Sequence, residues 1–111
     1  MQLIRHPLVE RDIIGIADHI IESTMGDIGA ARRRLDEIDL LLEDIFKSPF
    51  SGTRLAGKLD GWLVRHGGKD HRLTVVFKSD SEKQILYVAM IAFGGRNWMV
   101  GSEARSEPEL W

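Results

Sequence analysis

The side chains with the most chemical capacity in this 111-residue chain are cationic or imidazole. Arg65, Arg72 and Arg96 lie in its second half, with His66 and His71 among them. Imidazoles move protons, and guanidinium groups neutralise charge that develops in a transition state. Arg72 shares one side of its predicted strand with Thr74 and Val76, so it points at a ligand or pairs with an acid such as Asp70 or Glu82. His66 falls in a Gly-rich loop and His71 at a strand start, and no clear acid–base partner accompanies them. Metal chemistry is not expected: cysteine is absent, and His6, His19, His66 and His71 have no ligand spacing. No cofactor is expected. Gly67-Gly68 and Gly94-Gly95 read as turns, because neither opens a helix that would hold a phosphate. Arg32-Arg33-Arg34 reads as a solvated face on an otherwise acidic helix, or as a contact for an acidic partner.

The element that must position these groups runs from His71 to Arg96. Leu73 to Phe77 alternates and is β-branched, Lys78 to Lys83 is polar, and Gln84 to Phe93 is apolar on both alternating faces. This predicts a hairpin whose second strand sits inside a sheet. On strict alternation Ile85, Tyr87, Ala89, Ile91 and Phe93 face one way, and Leu86, Val88, Met90 and Ala92 the other. The cover must come from upstream, since only 15 residues follow Arg96.

Upstream, Gln2 to Arg5 predicts a short edge strand. From Leu8 to about Thr24, Val9, Ile13, Ile16, Ala17 and Ile20 form the apolar stripe of an amphipathic helix. Gly26 and Asp27 suit a C-cap and an N-cap. A second helix, Ile28 to Lys47, presents Ala31, Leu35, Ile38, Leu42 and Ile45 and stops at Ser48-Pro49. The short break makes the two an antiparallel helical hairpin. Turn-rich segments follow up to Gly61, then a strand at Trp62 to Arg65. The expected fold is α+β: a small, mainly antiparallel sheet in the order β-α-α-β-β-β, covered on one face by the hairpin. One domain is expected over residues 1–100, with 101–111 a polar tail, loosely ordered unless a partner holds it.

Composition is that of an ordinary globular chain, 43% hydrophobic and 29% charged, with net charge −2. The charge is uneven. Residues 1–50 hold six Lys/Arg against ten Asp/Glu, and residues 51–78 hold six against two. Such asymmetry marks either a face for an acidic partner or nucleic acid, or a mixed solvated surface. Neither a signal peptide nor a membrane span is expected, and the lack of cysteine suits a cytoplasmic protein.

The order and spacing of these pieces resemble the RelE/ParE superfamily of small bacterial toxins from type II toxin–antitoxin modules. The resemblance runs from Leu3 to about Trp98. Its parts are a first strand leading into Leu8-Val-Glu-Arg-Asp-Ile-Ile-Gly-Ile16, a second helix ending in Ser48-Pro-Phe-Ser-Gly-Thr-Arg54, the strands Trp62–Arg65 and Asp70–Phe77, and Ala92-Phe-Gly-Gly-Arg96. The long hairpin and the turn from Pro49 to Gly52 look like ParE, the branch that poisons DNA gyrase. RelE-like members instead cut mRNA in the ribosome, and there the resemblance implies that Arg65, Arg72 and Arg96 stabilise transition-state charge. Two departures cut against catalysis: Phe93 stands where these families often place His, and Asn97-Trp98 replaces the usual Tyr after the last Arg.

The resemblance also implies a cognate antitoxin that neutralises the chain and alone makes any DNA contact. Trp98 and Trp111 are candidates to sit under it, since Trp is enriched at interfaces. Ile14, Ile21, Leu40 and Leu41, away from the main helical stripes, are candidates for the same contact. A family member that keeps the fold and antitoxin binding without a target is a third reading.

Overall fold

The computed structural model describes all of residues 1–111. It contains strands β1 (Gln2–Arg5), β2 (Thr53–Arg54), β3 (Leu63–Gly67), β4 (Leu73–Asp80) and β5 (Ile85–Phe93). Its helices are α1 (Val9–Ser23), α2 (Ile28–Lys47) and a short α3 (Trp98–Glu103). The sheet order is β1-β5-β4-β3-β2, with β1 parallel to β5 and every other pair antiparallel. This is the expected α+β architecture, with two additions: the edge strand β2 inside the turn-rich segment, and α3.

The helical hairpin forms for the reasons its sequence suggests. Asp27 caps α2 by accepting a hydrogen bond from the Ala30 N–H at 2.9 Å, which satisfies a donor that helix starts otherwise leave free. The apolar stripes of α1 and α2 then meet Leu73, Val75, Phe77, Leu86, Val88 and Ile91 in the main core. Val9, Ile45, Val75, Phe77 and Val88 are wholly buried there. Each such side chain contributes roughly 1.5–3 kcal/mol through removal from water.

Strict alternation in β5 does not hold. Val76 pairs with Met90 while Phe77 pairs with Val88, so Ala89 is an extra residue, a β-bulge. The bulge resets the parity. Leu86, Val88 and Ile91, with Phe93 packed beside them, face the helices, whereas Tyr87 and Ala89 face a second cluster on the opposite side.

That second cluster is the main departure from expectation. Leu59, Trp62, Val64, Val76 and Ala89 form a small core on the sheet face away from the hairpin, with Leu55, Tyr87, Trp98 and Trp111 packed against it. The C-terminal segment closes this face: α3 lies along β5, and a 3-10 turn at Pro108–Leu110 delivers Trp111 onto it. Residues 101–111 are therefore folded against the sheet. Their polar composition hides two anchors, Arg105 and Trp111, whose partners lie far away in sequence.

Candidate functional site

Arg65 projects from β3 on the helix side. Its Nη1 lies 2.7 Å from Asp44 Oδ2 and donates to Ser51 Oγ at 3.2 Å. The pair ties the end of α2 and the turn after it to the sheet. Arg65 shares a shallow groove with His66, His71, Glu37 and Asp44. His66 stands on the other side of β3, its Nδ1 2.9 Å from Thr74 Oγ1 and its ring 6.2 Å from that of Trp98.

Arg72 lies elsewhere. A turn places Asp70 and His71 in succession at φ of 59° and 55°, the left-handed region that non-glycine residues avoid. The turn directs Lys69 and Arg72 to one cavity of about 370 Å³, where His19, Arg33 and Arg34 join them. Arg96 lines a third cavity, of about 380 Å³, with Asp12, Met90, Trp98 and Arg105. The three arginines thus enter three separate cavities, and only the groove of Arg65 is also lined by His66 and His71. No three His, Asp or Glu side chains come together in a way that would hold a metal ion.

The candidate partner residues divide similarly. Ile14 and Leu40 are more than half exposed. Ile21 packs against the main core and Leu41 is buried in it. A Cβ added at Gly67 would lie 2.9 Å from the Leu41 side chain, so this glycine lets β3 approach α2. Trp98 and Trp111 are half-buried in the second cluster. Trp111 meets His6, Tyr87 and Trp62 with ring centroids 5.1, 5.7 and 6.1 Å away, and its Nε1 donates to the Arg105 carbonyl at 3.0 Å.

Sequence reasoning misses the ion pair that holds this arrangement. Asp12 lies in the first turn of α1, where any acidic residue complements the helix dipole, yet its carboxylate accepts two hydrogen bonds from Arg105, at 2.6 and 3.0 Å. Arg105 Nη1 also donates to the Ala89 carbonyl at 2.9 Å, and Asp12 Oδ2 accepts from the Ile91 N–H at 3.2 Å. Beside them His6 Nδ1 accepts from the Leu8 N–H at 3.0 Å. Partial burial and then the Arg105 charge hold the His6 imidazole below its ordinary pKa, with Asp12 opposing.

A five-stranded mixed sheet with this hairpin on one face is a fold shared with solved structures from bacterial toxin systems. One similar solved structure is the toxin–antitoxin complex RelBE2 from Mycobacterium tuberculosis. It matches at a TM-score of 0.56 and 13% identity, over 83% of this chain and 95% of that one. Another is the YoeB/ParE toxin from Agrobacterium tumefaciens, at a TM-score of 0.55 and 20% identity, over 84% and 98%. No protein-family model and no curated protein matches the sequence. No helix is long and apolar enough to cross a membrane.

Proposed function

We propose that this chain is the toxin of a type II toxin–antitoxin pair and acts in the cytoplasm, ParE-like, by binding and inhibiting DNA gyrase. A cognate antitoxin neutralises it and alone contacts DNA. The fold supports the toxin reading, since a chain of a solved toxin–antitoxin complex and a solved toxin share it across nearly their whole length.

The observation that carries the non-enzymatic reading is the dispersal of the arginines. Phosphodiester cleavage needs cations and an acid–base pair around one phosphate. Here Arg65 is engaged by Asp44, and the groove it shares with the imidazoles also holds Glu37. Those carboxylates repel a phosphate. Arg72 and Arg96 line other cavities.

The rival reading, a RelE-like ribosome-dependent endoribonuclease, draws support from His66. It is exposed and oriented by Thr74, as a general base would be. Supercoiling by purified gyrase tests the choice. The purified chain is expected to abolish supercoiling, and normal supercoiling in its large excess would refute the gyrase assignment.

A further inference from the structure

The cavity at the hairpin end of the molecule carries positive charge that the fold's own ion pairs use only in part. His19 comes from α1, Arg33 and Arg34 from α2, and Lys69 and Arg72 from the turn before β4. No carboxylate lines it. Arg34 Nε is 3.1 Å from Glu37 Oε2, and Arg33 reaches Asp27 only at 4.0 Å. Lys69 and Arg72 form no ion pair at all. This concentration of cations stands on a chain whose net charge is −2. The floor is apolar, made by Ile20, Ala30 and Phe93. Two consecutive left-handed non-glycine residues, Asp70 and His71, hold the turn that presents Lys69 and Arg72. Backbone strain of this kind persists where surrounding structure enforces it, and it concentrates at functional sites.

We propose that this cavity docks an acidic peptide segment of the neutralising partner, with carboxylates on Arg33, Lys69 and Arg72 and an apolar side chain on Ile20 and Phe93. The peptide's origin rests on the toxin–antitoxin reading; the chemistry of the site does not. Charge complementarity selects a short acidic segment over a nucleic acid. The walls from α1 and α2 belong to residues 1–50, which hold ten acidic residues against six basic ones, so a polyanion long enough to run past the cavity meets like charge that a short segment avoids.

The test titrates the full chain with three probes and follows backbone amide shifts by NMR. The probes are a short peptide alternating Glu and Leu, its Gln-for-Glu counterpart, and a single-stranded RNA oligonucleotide. The acidic peptide is expected to shift residues 19–24, 30–34 and 69–72. Affinity should fall about tenfold for the Gln peptide, and as much for the Arg33→Gln/Lys69→Gln variant. These are exposed side chains whose replacement leaves the core untouched. No shifts at those residues, equal binding of the Gln peptide, or tighter binding of RNA there would overturn the proposal. Growth arrest by the wild-type chain expressed alone reads the toxin assignment separately. Peptide binding without arrest supports the site and removes the toxin reading, and arrest without peptide binding removes the site.

Discussion

Asp12 and Arg105, 93 positions apart, form a two-armed ion pair at the point where β1 stops pairing with β5. Beyond Val88 no strand covers that edge of β5. The pair replaces the missing strand, with Asp12 taking the Ile91 N–H and Arg105 giving to the Ala89 carbonyl. Both side chains are nearly buried, 14% and 12% exposed. One contact thereby joins α1, the bulge of β5 and the C-terminal segment.

Replacing one partner strands a desolvated charge on the other. Arg105→Met is expected to destabilise the fold by about 3 kcal/mol, the range for breaking a buried pair. Asp12→Leu/Arg105→Met should lose clearly less than the sum of the two single changes. Urea denaturation of the four proteins measures this. Additive losses would show that the two side chains do not act together.

Trp111 covers Trp62 and Tyr87, so its loss opens the second core. Trp111→Ala should cost about 2 kcal/mol, below the range for a fully buried Trp because the ring is half-exposed. Acrylamide quenching of the remaining tryptophans should increase, since Trp62 is only 2% exposed in the intact fold. Unchanged quenching would mean that the segment does not cover this face.

The contact between His6 and Trp111 is expected to respond to acid. The imidazole pKa is lowered in the folded state from its ordinary 6.5, first by burial and then by Arg105. The unfolded chain therefore binds this proton more readily. Stability from this group is fully present above pH 6.5 and is lost as pH falls through that value to the lowered folded one. Comparing denaturation midpoints of wild type and His6→Asn between neutral and mildly acid pH should show a shallower loss in the variant. Parallel curves would remove His6 as the cause.

Gly52 is the other position where one atom decides the geometry. Its φ is +115°, and a Cβ there would fall 2.7 Å from the Val64 carbonyl oxygen and 2.9 Å from Arg65 Cγ. Gly52→Ala should cost about 2 kcal/mol through strain and clash. It should also loosen the pairing of β2 with β3, visible as faster amide exchange at Val64. Stability equal to wild type would contradict the close approach.

Much of this was legible in sequence because it rests on local periodicity. The stripes of α1 and α2, the Asp27 cap and the hairpin of β4 and β5 follow from spacing alone. The turn from Pro49 to Gly52 was visible too, and the structure supplies its reason in the contact with β3. The bulge at Ala89 was not, because an inserted residue in an all-apolar strand leaves no mark on the pattern. The closing of the second face was hidden for a different cause. Arg105 and Trp111 sit in a polar segment, and their partners Asp12 and Trp62 lie in elements that looked complete without them. The cavity around Lys69 and Arg72 escaped likewise, since three distant segments supply its charge.

The central claim is that this chain stops gyrase and does not cut RNA. The measurement that tests it most directly maps, in cells expressing the chain alone, gyrase-trapped DNA breaks and mRNA 5′ ends from one culture. The account predicts accumulated DNA breaks with intact mRNA, unaffected by the conservative change His66→Asn. Cleaved mRNA with no trapped DNA, abolished by that change, would contradict it and make His66 a catalytic residue.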